Sequence, residues 1–141
     1  MSYKILSKFI KDISFEIPNA NAFVMLEKEI SNYNLNFDIS SKKYKNNIIE
    51  VNTILKISPN IEVKNKILAE INMAALVSID ENLNDKKELE KIILVKVPSE
   101  VYGVLYETFV YLFSKAGVKN ITIQKEVNFE KMYAERESTH L

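Results

Sequence analysis

From Lys4 to Ile17 the chain alternates between apolar and polar side chains, and at Pro18 the alternation stops. A two-residue period places Ile5, Phe9, Ile13, Phe15 and Ile17 on one face and Asp12, Ser14 and Glu16 on the other. Proline has no N–H to give to a sheet ladder, so Pro18 ends the strand and Pro18-Asn19 opens a turn. The segment predicts a half-buried strand with carboxylates on its outer face.

The same period recurs three times. Asn34 to Ser40 carries Leu35, Phe37 and Ile39 inward, and Ser40-Ser41-Lys42-Lys43 with Asn46-Asn47 brackets a turn. Ile48 to Ser58 carries Ile49, Val51, Thr53, Leu55 and Ile57 on one face, with Ser58-Pro59-Asn60 as a hairpin turn. Ile61 to Ile79 reads as a long fourth strand, with Val63, Ile67, Ile71, Met73, Ala75, Val77 and Ile79 inward. Lys64, Lys66, Leu68 and Glu70 face outward. Four successive strands with short connections predict an antiparallel meander whose apolar face must be covered.

Helices follow in the second half. Ala20 to Ile30 reads as a short helix capped by Asn19 or Asn21. Glu88 to Val95 suits a helix better than a strand. Pro98 to Ala116 is the clearest helix, with Pro98 in its first turn, Ser99 or the residue before it as cap, and Gly117 as its stop. Val101, Val104, Leu105, Thr108 and Leu112 form one stripe, and Tyr102, Tyr106, Phe109 and Phe113 another. A helix apolar nearly all round must be buried on more than one side, and one sheet covers one side. Either the last helix covers the remainder or a second copy of the chain does. The second choice makes Tyr102, Tyr106, Phe109 and Phe113 the candidate oligomer interface. Val118 to Lys125 reads as extended. Val127 to Glu137 reads as a helix capped by Asn128, with Phe129, Met132 and Tyr133 at helical spacing. The expectation is one α+β domain over residues 1–141: a four-stranded antiparallel meander with C-terminal helices on one face.

Composition removes most enzyme classes. The 141 residues include no cysteine, two glycines and one histidine, His140, one residue from the end. Thiolate metal sites, cysteine nucleophiles and glycine-rich phosphate loops are excluded, and no catalytic, metal or cofactor site is expected. Nineteen basic residues balance nineteen acidic ones, so global charge gives no reason to expect nucleic acid as a partner. No apolar run is long enough for a membrane span, and Met1 to Lys4 lacks a signal-peptide core, so a cytoplasmic location is the expectation.

Several blocks together resemble the SecB family of protein-export chaperones. They are Asp12-Ile13-Ser14-Phe15-Glu16 followed by Pro18-Asn19-Ala20, then Leu68-Ala69-Glu70-Ile71, then the Pro98-led helix with Glu107, then Val127-Asn128-Phe129. They are colinear with the family pattern over about Tyr3 to Ala134. The chain departs from it at Tyr102 to Glu107, which lacks the family's inner proline and arginine. It departs again at Asn72 to Ala75, which replaces a glycine-rich element, and at Glu126, where proline is usual. The family's acidic C-terminal tail is missing too.

The resemblance implies a homotetramer built as a dimer of dimers. It also implies an ATP-independent holdase that binds unfolded polypeptides or preproteins and delivers them to the motor ATPase SecA. By the same resemblance, Asp12, Glu16, Asn19, Leu68 and Glu70 would dock the zinc-binding C-terminal segment of SecA. Phe23, Val24, Met25, Leu26 and Tyr44 would contact clients. Alternation by itself already places Asp12, Glu16, Leu68 and Glu70 on one solvent face. A SecB-like chaperone holding one antitoxin of a toxin–antitoxin system is the alternative. A small-ligand-binding or structural α+β protein is a third reading.

Overall fold

The computed structural model describes residues 2–29, 33–59, 65–119 and 123–139. Its elements are β1 (Tyr3–Glu16), α1 (Ala20–Glu29), β2 (Tyr33–Lys45), β3 (Ile48–Pro59), β4 (Leu68–Ile79), α2 (Lys86–Lys91), α3 (Val97–Lys115) and α4 (Phe129–Thr139). The four strands form one sheet in the order β1-β4-β3-β2, with every neighbouring pair antiparallel. This α+β architecture is the expected one, but the strand order corrects the simple meander. Only β2, β3 and β4 follow one another. β1 crosses over through α1 and joins the far side of β4, whose two apolar faces suit a position inside the sheet.

Partners across a ladder share a face, so the register sorts the side chains. Val51, Leu55 and Ile57 of β3 lie beside Ala75, Ile71 and Ala69 of β4 on the inner face, and all six are buried. The uniform alternation expected of β1 does not survive. Register shifts between Ile5 and Ser7 and between Ile10 and Asp12 each insert one residue. A one-residue slip exchanges the faces. Phe9 therefore pairs with Ala74 on the outer face, and Ile10 takes the inner position beside Met73. Leu6, Phe9, Ile10 and Ile13 are all left exposed.

Two further boundaries move. β2 runs through Ser40-Ser41-Lys42-Lys43 to Lys45, and the turn is Asn46-Asn47 alone, with Asn46 at φ 50. Asparagine tolerates that left-handed conformation better than most residues. β4 begins at Leu68 instead of Ile61. Asn65 sits in a turn at φ 61, and residues 60–64, including Val63 and Lys64, lie outside the described residues.

The expected caps are present for α1 and α4. Asn19 Oδ1 accepts from Ala22 N at 2.8 Å, and Asn128 Oδ1 accepts from Lys131 N at 2.9 Å. Asp85 caps α2 through Lys87 N and Glu88 N. Helical backbone then continues unbroken from Lys86 to Lys115, so Pro98 is not where the helix begins. Proline removes one intrahelical bond and crowds the carbonyl four residues back. A wider π turn over Ile92–Lys96 precedes it and absorbs that conflict. Ser99 caps nothing; its hydroxyl donates to Val95 O at 2.5 Å. The helix ends as expected, with Gly117 at φ 95 and Val118 N donating to Phe113 O. Residues 118–119 and 123–128 form no strand, and residues 120–122 of the stretch read as extended lie outside the described residues.

α3 supplies the core. Val101, Tyr102, Leu105, Phe109 and Phe113 are buried against the inner face of the sheet. Phe113 meets Phe15 edge-on at 5.0 Å between ring centroids, and Phe37 meets Phe129 at 5.1 Å. Aromatic edges thus tie α3 to β1 and α4 to β2.

Candidate functional site

Two regions carry the chemistry. The first is the outer face at the Glu16 end of the sheet. Asp12 lies opposite Asn72, Ser14 opposite Glu70, and Glu16 opposite Leu68. Asp12, Glu16, Leu68 and Glu70 therefore share one face, as alternation predicted. The two bulges leave this stretch intact because both precede Asp12. Asp12 and Glu16 stand about 13 Å apart along β1, with Glu70 between them on the next strand. Leu68, at the start of β4 and 40% exposed, stands beside Glu16 with Glu70 two residues along and Asp12 farther up the same face. Ser14 Oγ donates to Asp12 Oδ2 at 3.1 Å and fixes that carboxylate. Lys56 opposes Glu70 on β3 and is the basic element in this corner. Asn19 lies past the end of the strand, where both amide atoms are engaged. Oδ1 caps α1, and Nδ2 donates to Asn65 Oδ1 at 3.2 Å. It fastens the turn after β1 to the turn before β4. The arrangement is an exposed leucine at the end of a row of carboxylates, which suits a basic segment with an apolar anchor.

The second region was not assembled from the sequence. β2 is an edge strand, and α4 and the π turn pass beside it. Between them run two adjoining hollows of about 380 and 310 Å³. They share Ile39, Leu94, Tyr133 and Arg136; Phe37, Phe129 and Met132 line one end, and Ser41, Glu90 and Ile93 the other. Met132 is 40% exposed and apolar, a side chain with no cover on its outer side. Tyr133 OH donates to Glu90 Oε2 at 3.0 Å and steadies α4 over the groove. A further hollow of about 530 Å³ opens beside α3, lined by Val95, Ser99, Glu126, Val127, Asn128, Phe129 and Glu130. The sequence signals for the apolar side chains of this groove were present separately, in the alternation of Leu35, Phe37 and Ile39 and in the helical spacing of Phe129, Met132 and Tyr133. Only the fold juxtaposes them.

The other expected contact residues separate. Leu26 is fully in the core, so it cannot meet a client. Phe23 is half-buried, with its ring edge about one van der Waals contact from where a side chain on Gly117 would stand, and Met25 is half-buried too. Val24 and Tyr44 are 56% and 54% exposed. Tyr44 sits at the β2–β3 tip, beside Lys45, whose Nζ lies 5.4 Å from its ring centroid. Tyr102, Phe109 and Phe113 are buried within their own chain, which corrects their assignment to an oligomer interface. The inner sheet face and α4 use them up. Tyr106 is half-buried, and the apolar side chains α3 leaves exposed are Val110 and Tyr111.

Electrostatics mark structure more than catalysis. Burial and the Glu100 carboxylate push the Tyr3 hydroxyl up to about 12, and Tyr3 OH donates to Glu100 Oε2 at 2.7 Å. Burial, with Tyr106 nearby, also raises Tyr102, whose hydroxyl donates to the Gln124 carbonyl. Among the described residues no group of three or more His, Cys, Asp or Glu side chains could hold a metal ion. Among the same residues no helix is long and apolar enough to cross a membrane. His140 lies outside the described residues.

Comparison with known proteins agrees with this geometry. Residues 1–140 match the family described as Preprotein translocase subunit SecB. A protein of Pelagibacter ubique, provisionally named protein-export protein SecB, is 43% identical over 135 residues, covering 96% of each chain. Protein-export protein SecB of Nitrosospira multiformis is 27% identical over 95% of this chain and 82% of its own. Among solved structures, a SecB-like chaperone of Mycobacterium tuberculosis in complex with a ChAD peptide from the HigA1 antitoxin superposes with a TM-score of 0.68. It covers 89% of this chain and 88% of its own at 13% identity, a likeness of fold. The family match over residues 1–140 and the 43% identity to the Pelagibacter protein along the whole chain lead to one conclusion: this chain belongs to the SecB family of protein-export chaperones.

Proposed function

We propose that this chain is an ATP-independent holdase that keeps preproteins unfolded and passes them to SecA. The observation that carries the reading is the groove between β2 and α4, with the apolar side chains of Phe37, Phe129 and Met132 at one end. Phe37, Ile39, Leu94, Phe129 and Met132 give it apolar walls, Asp38, Glu90 and Arg136 stand among them, and no metal cluster occurs among the described residues. Such a surface favours exposed apolar side chains of many sequences over one small ligand. A folded protein has buried those side chains and would be ignored.

The outer acidic corner would serve the second step. Asp12, Glu16 and Glu70 would steer a basic SecA segment, and Leu68 would anchor it. Groove and corner lie on opposite faces of the sheet, so a client and SecA could be held together. Self-association is part of the proposal. Leu6, Phe9, Ile10 and Ile13 along β1, with Val110 and Tyr111 on α3, are the apolar side chains a second copy would cover.

A narrower reading, one antitoxin as client, is favoured by the fold neighbour that holds an antitoxin peptide. The relatives of higher identity carry protein-export names, which favours preproteins. The test is size-exclusion chromatography of the protein with a labelled preprotein diluted from urea into nucleotide-free buffer. Co-elution with the unfolded client and not with its folded form is expected. Separate elution of both forms would overturn the holdase reading.

A further inference from the structure

We propose that Lys11 is a latch on the outer face of the sheet, and that an arginine of a docking basic segment displaces it to reach Glu50 and two unpartnered asparagine carbonyls. The inference rests on the reading that this face receives a basic segment, and it adds a second subsite to the acidic corner.

The centre of the outer face is polar and closed. Glu50 and Asn52 of β3 are both buried there. Asn52 opposes Ala74 of β4, so Asn72 lies one diagonal step from it. Asn52 Nδ2 donates to Glu50 Oε2 at 2.8 Å, which fixes the amide and turns its Oδ1 away from the carboxylate. That Oδ1 and the Oδ1 of Asn72 are buried, and neither has a hydrogen-bond partner among the described residues. Buried carbonyl oxygens without a donor are uncommon and costly. Lys11 does not supply the donor: its Nζ lies 2.6 Å from Glu50 Oε2 and bonds neither amide oxygen. The missing partner is therefore a donor from outside the chain. With the Asp12 carboxylate opposite Asn72, it is a cationic one.

Lys11 is built to leave. It is the inserted residue of a bulge, so moving its side chain breaks no ladder pair, and that side chain is 39% exposed. Glu50 would keep its bond from Asn52, with Lys42 still 3.9 Å away. A guanidinium fits the vacated place. Its planar fork takes a carboxylate with two N–H groups, three further donors remain for the amide oxygens, and it has no acceptor to repel them.

The two subsites are in line. Asn72 stands four residues beyond Leu68 on the same face of β4, about 13 Å away. In an extended segment anchored on Leu68, the side chains two and four residues from the anchor also face the sheet, the first towards Glu70 and the second towards Asn72. The face thus reads spacing as well as charge. A basic segment without an arginine at that spacing leaves Lys11 in place.

The probe is a labelled nine-residue peptide with a central leucine, lysines two residues to either side, arginines at both ends and threonines between. Its symmetry lets it lie in either direction. An isomer exchanges each arginine with the neighbouring threonine, which keeps the charge and turns the arginines away from the sheet. Fluorescence anisotropy on the wild-type protein should show the parent binding about fivefold tighter than the isomer. Lys11→Met should tighten the parent about fivefold further and change the isomer by less than about twofold. Asn52→Leu should bring the parent close to the isomer. Equal binding of the two peptides to wild type, or the same effect of Lys11→Met on both, would overturn the latch. If Glu16→Lys with Glu70→Lys still abolished that binding, the acidic corner would stand. Failure of both peptides to bind either wild type or Lys11→Met would overturn both.

Discussion

Lys11 extends across β4 and places its Nζ 2.6 Å from Glu50 Oε2 on β3. The same oxygen accepts from Asn52 Nδ2 at 2.8 Å, and Lys42 of β2 stands 3.9 Å away. Lys11 is the inserted residue of the second β1 bulge, which frees it from the ladder to make this contact. The hydrogen bond from Lys11, then that from Asn52, holds the Glu50 carboxyl below its ordinary value against the opposing effect of burial. A depressed carboxylate stabilises the fold fully above the unfolded value, near 4.3, and loses that contribution as pH falls through the lower folded value. Glu50→Gln should therefore cost about 1 kcal/mol at pH 7. Its loss of stability below about pH 4.3 should be shallower than that of wild type. Urea melts at several pH values measure both effects, and parallel curves would contradict the assignment.

Thr53 is wholly buried on the inner face, and its hydroxyl has no hydrogen-bond partner among the described residues. An orphaned buried hydroxyl costs roughly 1–3 kcal/mol, and valine has nearly the same shape with better strand propensity. Thr53→Val should raise stability by about 1 kcal/mol. Chemical denaturation decides it, and a destabilised variant would mean the hydroxyl has a partner.

Neighbouring positions on α3 should behave in opposite ways. Phe113 is completely buried against Phe15, so Phe113→Ala should cost about 3–5 kcal/mol. Tyr111 is 60% exposed, so Tyr111→Lys should change stability by under about 0.5 kcal/mol. If α3 contributes to self-association, Tyr111→Lys should lower the mass seen by light scattering with its melting temperature unchanged. A wild type that is monomeric at micromolar concentration would refute the assembly proposal.

The acidic corner makes a separable prediction. Glu16→Lys with Glu70→Lys should slow association of the SecA C-terminal segment and remove its salt dependence, because charges at an interface rim act mainly on the on-rate. Adding Leu68→Ala should speed dissociation by removing the apolar anchor. Stopped-flow binding at two salt concentrations measures each rate. Unchanged rates in the triple variant would leave this face as ordinary solvated sheet.

Period and caps were legible in the sequence because both are local. Alternation in β3 placed Ile49 to Ile57 correctly, and Asn19, Asn128 and Gly117 marked helix ends by their own chemistry. The β1 bulges were not legible, since an inserted residue is defined by its partner strand, and Phe9 therefore changed face. Strand order was missed for the same reason, because adjacency of β1 and β4 is a long-range fact. Tyr102, Phe109 and Phe113 suggested an interface because a helix apolar all round looks unsatisfied alone. The sheet on one side and Phe129 of α4 on the other satisfy it within the chain. The acidic corner could be found because each of its residues lies within one strand's alternation. The groove could not, because it joins β2 to a helix that begins more than eighty residues later.

The most direct test of the chaperone account is aggregation of a chemically unfolded client, followed by light scattering without nucleotide. The wild-type protein in a few-fold excess should suppress the rise. Met132→Asp, in the groove but 40% exposed, should suppress it far less while its own stability changes by under about 0.5 kcal/mol. A client that aggregates at the same rate with and without the wild-type protein would contradict the account.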